Sequence, residues 1–313
     1  MLLPVFSDVI GHQKVKEVLT HAVRQPGSGY LFSGPDGVGK RTVALRFVRA
    51  LLDQPEGVSL ESHPDFIRVI REEGTKDISI ERVREVIKRM QMTSARGGRR
   101  VALIEQADQL NESGVNALLK VVEEPSPGVV FLFITEQPDA IPATLRSRLI
   151  SISFSRVSEA DLLPWINGIE PDPDRRARIR QVAQGCPGLA QRYVADPDGW
   201  DARVSDAERL ISVLQTATTG VQCGTLERMA RRMESEEDVE AAWRQSLLFC
   251  MHALGSSFRE QPRVASELAL GLLHAWRLAG TTLSPRLALE WARVRPFYPS
   301  ERTLSSFLSS SYL

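Results

Sequence analysis

The chain has 313 residues, a length that predicts two or three domains rather than one. Its hydrophobic content of 42% and charged content of 25% are ordinary for a globular protein. Lys plus Arg and Asp plus Glu both total 39, so the formal net charge is zero. This balance argues against a protein that grips nucleic acid alone, because such proteins usually carry a basic surplus. The first residues do not resemble a signal peptide, and no run of about 18 apolar residues predicts a membrane span.

The three cysteines are Cys186, Cys223 and Cys250. No two of them have the C-x-x-C spacing of a zinc site, and their odd number argues against a disulfide framework. Three free thiols fit a reducing, cytoplasmic environment. We therefore expect no zinc and no disulfide.

The first half of the chain alternates short apolar runs with segments of helical periodicity, a pattern that predicts a parallel sheet covered by helices on both faces. The fourth run is apolar throughout, so we expect its strand to be central. One helix is predicted to begin after Ser79 as its N-cap, and another to stop at Pro125. The predicted strands are Tyr30–Ser33, Asp65–Ile70, Val101–Ile104, Val129–Ile134 and Leu149–Phe154.

From Ser158 onward the pattern is helical. Ser158 is a predicted N-cap, and Gly185–Gly188 interrupts the helical run. Asp196–Asp201 has the composition of a linker, and a late helix is predicted to open at Pro285. The remainder of the chain is predicted to be all-helical.

A glycine-rich loop, Gly34-Pro-Asp-Gly37-Val-Gly39-Lys40, lies between a predicted strand and a predicted helix. This is the context of a phosphate-binding P-loop. The glycines let backbone N–H groups converge on phosphate oxygens, and Lys40 adds a full positive charge. The alternative is a tight glycine turn without a ligand.

The position after Lys40 normally holds Ser or Thr, whose hydroxyl binds magnesium. Here it is Arg41, and Thr42 follows one helical step later, turned away by about 100°. Arginine cannot bind a cation, although it could contact a phosphate. We therefore predict no metal-ligand set, with weak ATP or ADP binding as the remaining role of this loop.

The strand Val101–Ile104 leads into Glu105 and Gln106. Glu105 could stand for the acid that holds magnesium in P-loop ATPases. Gln106 carries no charge and cannot act as a general base; alternatively it is a neutral surface residue. Either interpretation predicts that efficient ATP hydrolysis is absent, because phosphoryl transfer depends on a placed metal and nucleophile.

Two further strings carry a family resemblance. Phe6–His12 resembles the segment that packs beside the adenine in the clamp-loader branch of the AAA+ ATPases, and Asn116–Pro125 resembles the family's helix after the acidic strand. The resemblance implies an α/β AAA+ P-loop domain with a five-stranded parallel sheet over 1–157. It also implies a small helical lid domain over 158–200 and an all-helical collar over 201–313.

The same resemblance assigns roles to residues near the predicted sheet. Thr135 falls at the family's sensor 1 position, or is a strand-end hydroxyl bonded to backbone. Ser147-Arg148-Leu149 is similar to the family's Ser-Arg-Cys motif. In that family the arginine reaches the γ-phosphate of ATP bound by the next subunit, a contribution worth roughly 10³–10⁵ in rate in well-studied NTPases. The alternative is a solvated arginine near a sheet edge.

Two further departures from the family's pattern, and one more resemblance, lie outside these motifs. Gly188 occupies the position of the sensor 2 arginine, and Arg192 one turn later could compensate. The stretch Leu51–Pro64 lacks the cysteines of the family's zinc module. Pro285–Glu290 resembles a stretch near the end of bacterial delta-prime subunits.

Together these features favour a delta-prime-type stator in a five-membered ring with motor subunits (gamma or tau) and a delta subunit. The resemblance implies that the assembly loads a sliding clamp on primed DNA for the replicative polymerase, DNA polymerase III, a nucleotidyltransferase. An ATP-hydrolysing motor subunit or another AAA+ ATPase is the first alternative. A structural AAA+ module outside replication is the second.

Overall fold

The computed structural model describes residues 4–216 except 73, 74 and 76, together with 228, 246, 247 and 250. The chain divides into two compact units, of which the first is Met1–Ala195 and the second begins at Asp196. In the described residues no helix has the length and apolarity needed to cross a membrane. Cys223, Pro285–Glu290 and most of the predicted collar lie outside the described residues.

Five parallel strands form the sheet of the first unit, in the order β2-β3-β4-β1-β5. This confirms the predicted fold class and the central place of the fourth strand. All residues of β1, β3 and β4 are buried, as expected for strands covered on both faces. The strands are β1 Gly29–Ser33, β2 Phe66–Val69, β3 Arg100–Ile104, β4 Val129–Thr135 and β5 Ile150–Ser153.

Helices join the strands and continue beyond them. Short 3₁₀ turns lie at Pro4–Phe6, Ala107–Gln109 and Pro138–Ala140. The helices are α1 Gln13–Arg24, α2 Lys40–Leu51, α3 Ile80–Gln91, α4 Glu112–Glu123, α5 Ala143–Arg146, α6 Glu159–Ile169, α7 Pro173–Ala183, α8 Pro187–Ala195 and α9 Pro197–Thr216.

Both faces of the sheet are apolar, and helices cover them. On one face, α3 and α4 bury Val86 and Leu118 in the same cluster as Phe131 and Phe133 of β4. On β1, Tyr30 meets Phe47 of α2 edge to face, with ring centroids 5.3 Å apart. Helix starts follow the predicted capping chemistry, since Ser79 accepts a hydrogen bond from the backbone N–H of Arg82.

The prediction of a linker at 196–201 was wrong, because these residues open α9. Asp196 accepts a hydrogen bond from the backbone N–H of Gly199 at 3.1 Å, and Pro197 is the first helical residue. An aspartate followed by proline is a helix start as readily as a loop, since proline has no N–H to lose in the first turn. The predicted division into a lid over 158–200 and a collar over 201–313 stays a prediction.

Asp65, expected as the first residue of a strand, instead organises the loop before β3. Its carboxylate accepts hydrogen bonds from the backbone N–H groups of Ala95 (2.8 Å) and Arg96 (3.1 Å) and from the hydroxyl of Ser94 (3.0 Å). Burial alone would raise the pKa of Asp65, but these hydrogen bonds outweigh burial and hold the pKa below its ordinary value. The carboxylate therefore stabilises the fold in its ionised form.

We predict that Asp65→Ala lowers the free energy of unfolding by about 2–4 kcal/mol at neutral pH, because three donors lose a buried, charged acceptor. Since the folded pKa is depressed, this contribution is present above about pH 4 and is lost as the pH falls further. Denaturant unfolding at several pH values measures it. The control is Glu56→Ala, an exposed carboxylate whose loss should change stability by no more than about 0.5 kcal/mol. Equal stabilities of the Asp65 variant and the wild type at pH 7 would contradict the assignment.

Candidate nucleotide site and interface arginine

The glycine-rich loop connects β1 to α2, as the P-loop motif requires. Gly34 has a φ of 149°, and a Cβ at this position would lie 2.3 Å from the backbone oxygen of Phe154. Only glycine fits this approach, so the loop passes directly beside the end of β5. His12 closes the loop from another side, with Nε2 2.8 Å from the backbone oxygen of Val38.

Lys40 is 6% exposed and lies inside its own loop. Its ammonium group donates hydrogen bonds to the backbone oxygens of Gly34 and Pro35, both at 2.7 Å. Burial lowers the pKa of Lys40, and nearby carboxylates such as Glu136 and Asp36 oppose that effect. The positive charge expected for a phosphate is thus present, and loop carbonyls hold it in this structure.

The start of α8 packs against the loop. The backbone N–H of Gly188 donates to the backbone oxygen of Gly37 at 2.7 Å, and a Cβ on Gly188 would lie 3.0 Å from the Cα of Gly37. Arg192, one turn further, forms an ion pair with Asp36 of the loop at 2.8 Å. The position expected to lack a sensor 2 arginine is therefore a close backbone contact between the loop and α8.

Glu105 follows β3 and has a side chain that is 12% exposed. Its Oε1 accepts a hydrogen bond from Nε of Arg68 on β2 at 2.7 Å and lies 3.4 Å from Nε of Arg41. Thr42 is exposed on α2, and Gln106 is exposed at a positive φ of 52°.

These residues do not fit a magnesium ion. The acid already has two cationic partners, a guanidinium stands at the position of the hydroxyl ligand, and Thr42 is exposed on the helix. Within the described residues, no three His, Cys, Asp or Glu side chains are grouped so that they could hold a metal ion.

Thr135 ends β4 and is 1% exposed. Its hydroxyl donates to Oδ1 of Asp108 at 2.6 Å and accepts from the backbone N–H of Gln137 at 2.9 Å. Both hydrogen-bonding functions of the predicted sensor 1 residue are thus used within the chain.

Ser147 and Arg148 are exposed between α5 and β5. Arg148 donates to the backbone oxygen of Thr144 at 2.6 Å and forms an ion pair with Glu123 at the end of α4. The Ser147 hydroxyl donates to the same carbonyl at 3.2 Å. Glu123 thereby holds the guanidinium at the surface.

Arg148 and the P-loop lie at opposite edges of the sheet. Strands β1 and β5 are parallel, with Tyr30 beside Ile150 and Ser33 beside Ser153. The P-loop follows the carboxyl end of β1, whereas Arg148 precedes the amino end of β5. At about 3.3 Å per residue the two are separated by roughly 15 Å, which is further than an arginine side chain extends.

The comparisons with known proteins agree with this architecture. The sequence profile of a family described as "DNA polymerase III, delta subunit" matches residues 11–158. Residues 11–158 therefore resemble the clamp-loader subunits of DNA polymerase III, and the assignment of the chain to this family is supported by that part of the sequence. It is 32% identical to the DNA polymerase III subunit delta' of Pseudomonas aeruginosa over 183 residues, which are 54% of this chain and 56% of that protein.

Relatives with another subunit name also match. The chain is 31% identical to the DNA polymerase III subunit tau of Escherichia coli over 302 residues, 90% of this chain and 44% of that protein. The chain therefore spans about half the length of the curated relatives it matches. A gamma subunit-related protein from Thermotoga maritima has a similar fold, with a TM-score of 0.54 and 15% identity over 90% of this chain and 98% of that one.

Four site residues were not predicted from the sequence of this chain: Asp36, Arg68, Asp108 and Glu123. The sequence does indicate that Arg68 has a partner, because a charged residue inside an otherwise apolar strand requires one. Glu123 belongs to the family-like string, but its pairing with Arg148 joins two segments that no local pattern connects. Asp36 and Asp108 are ordinary loop residues in the sequence.

We predict that Arg41→Ser with Gln106→Glu does not restore ATP hydrolysis above about 1 s⁻¹, the lower end of ordinary enzyme rates. In this variant Arg68 still bonds the carboxylate of Glu105, and Gly188 still stands at the position of the sensor 2 arginine. Phosphate release by the purified chain measures the rate, and the same variant carrying Lys40→Ala gives the background. Brisk hydrolysis by the double variant would refute this expectation.

We also predict that Gly188→Ala lowers the free energy of unfolding by about 1–3 kcal/mol, since its methyl group meets the Gly37 backbone. The matched control is Gly168→Ala in α6, where a Cβ meets no atom within 4 Å. That change should stabilise the chain by about 0.4–1 kcal/mol. Denaturant unfolding of both variants measures the two effects, and an unchanged Gly188 variant would mean that α8 does not depend on this contact.

Proposed function

We propose that this chain is the delta-prime-type, non-hydrolysing member of a DNA polymerase III clamp loader, and that it provides Arg148 to ATP bound by a neighbouring subunit. Support comes from the delta' relatives, from the arrangement around Glu105 and from the exposed Arg148. The observation that carries the proposal is the strand register, because it puts Arg148 beyond reach of the chain's own P-loop.

The candidate nucleotide site has the positive charge needed to bind a phosphate, but its residues differ from those that hydrolyse ATP. Lys40 lies within the loop, yet the hydroxyl ligand and the general base are replaced by Arg41 and Gln106. In this proposal ATP or ADP binds weakly and is not turned over, because the described residues of this site provide neither a base that activates water nor a place for a metal.

Arg148 can exchange its partners for a phosphate of a neighbouring subunit, because its contacts within the chain are weak. Its side chain is 38% exposed and that of Glu123 is 43% exposed, so water screens their ion pair. A triphosphate carries several charges and accepts both arms of a guanidinium. In the assembled ring the arginine leaves Glu123 for the neighbour's γ-phosphate, with Ser147 beside it on the same surface.

The proposed partners are those of the family: motor subunits of the gamma or tau type and a delta subunit in a five-membered ring. The whole complex would act on a sliding clamp and on primed DNA in the cytoplasm. The near-zero net charge supports a DNA contact that the complex shares, rather than one made by this subunit alone.

A second candidate is an ATP-hydrolysing motor subunit, favoured by the match to a tau subunit over 90% of this chain. An ATPase assay on the isolated chain separates the two functions. A magnesium-dependent turnover of 1 s⁻¹ or more would establish the motor subunit, and turnover at background would support the stator.

We predict that Arg148→Ala leaves the chain folded and able to assemble but slows ATP turnover by the complete complex about tenfold or more. The matched control is Arg146→Ala, two residues away, whose side chain pairs with Asp139 and the backbone oxygen of Pro138. Turnover should be nearly unchanged in that control. Steady-state hydrolysis with clamp and primed DNA, together with size-exclusion chromatography, gives the two readouts. Unchanged turnover in a fully assembled Arg148→Ala complex would exclude the assignment.

A further inference from the structure

Glu105 has two cationic partners from two different elements. Arg68 comes from β2 and is 15% exposed, as buried as the carboxylate that it contacts. Arg41 comes from the first turn of α2, with a side chain that is 58% exposed. The second carboxylate near Arg68, Glu61, is 57% exposed and lies at 3.2 Å. The acid at the end of β3 is therefore neutralised within the chain itself.

The cluster supplies cations where a metal site would hold an ion. Glu105 with Arg41 and Arg68 carries a net charge of +1, the same as one carboxylate with a divalent cation, and the exposed Glu61 pairs with Nη1 of Arg68. A divalent cation would raise the charge of the cluster by two, and it would approach a carboxylate whose Oε1 already contacts both guanidinium groups. Repulsion at short range in a partly buried place opposes that approach strongly.

We propose that the guanidinium groups of Arg41 and Arg68 are the permanent cations of this site, so that Glu105 takes no divalent metal and the P-loop's affinity for a nucleotide does not depend on Mg²⁺. Arginine suits this role because its guanidinium stays charged at all relevant pH values and binds carboxylate or phosphate oxygens in a fixed geometry. Arg41, the more exposed of the two, is the one available to a phosphate. The inference concerns the isolated chain and does not depend on its place in a ring.

The first experiment measures the melting temperature of the ligand-free full chain in EDTA. If Glu105 were a metal ligand, its charge would be uncompensated in EDTA. Its neutralisation by Glu105→Gln would then leave the stability of the chain unchanged or raise it. In the proposed cluster the same change removes the negative charge that faces Arg41 and Arg68 and lowers the melting temperature by about 3–8 °C. Glu61→Gln, which removes the exposed partner of Arg68, should lower it by less than about 2 °C.

A double-mutant cycle shows whether the effect belongs to the pair. Arg68→Gln and Glu105→Gln should each destabilise the chain, and the double variant should be more stable than the sum of the two losses predicts. Additive losses, or a Glu105→Gln chain as stable as the wild type, would overturn the proposal.

The second experiment uses the wild-type chain and so does not depend on the folding of any variant. Calorimetric titration with ADP, and melting in its presence, are compared in EDTA and in excess Mg²⁺. The proposal predicts the same result in both buffers, whether the loop binds ADP weakly or not at all. Binding about tenfold tighter with Mg²⁺, or a clear Mg²⁺-dependent rise in melting temperature, would overturn it. A failed clamp-loader assay would leave both measurements unaffected.

Discussion

The parallel pairing of β1 with its neighbours is the constraint on which the arrangement of this molecule depends. Parallel strands deliver all their carboxyl ends to one edge of the sheet, and there the P-loop, Glu105 and Thr135 come together. The same pairing assigns the segment before β5 to the other edge, where Arg148 lies. One backbone register thus separates the chain's own loop from the arginine that it presents outward.

At the edge with the P-loop, polar groups are satisfied by the chain itself. Lys40 bonds loop carbonyls, Thr135 bonds Asp108, and Glu105 bonds Arg68. Buried polar groups left without partners are costly, and here side chains and loop carbonyls of the chain itself supply those partners.

The sequence predicts the sheet, its central strand and the helix starts well, because these follow from local periodicity and capping. It does not predict where polar side chains go when their partners are distant in the chain. Asp65 was expected in a strand and lies directly before β2, and the partners of its carboxylate are about thirty residues later, where no local pattern indicates them. Arg68 needed a partner, but the fold decides that this partner is Glu105. The prediction of a linker at Asp196 was wrong for another reason, because Asp followed by Pro favours a linker and a helix start alike.

The contact between Gly188 and Gly37 has a consequence for any ligand of the P-loop. Access that requires α8 to move away must break this hydrogen bond and the Arg192–Asp36 pair. The apparent affinity then equals the intrinsic affinity multiplied by the fraction of molecules in the open state, so each 1.4 kcal/mol that favours closure weakens binding tenfold. If a nucleotide binds only after this glycine contact opens, the closed state lowers the occupancy of the P-loop. This holds even for a nucleotide that the phosphate-binding residues recognise well.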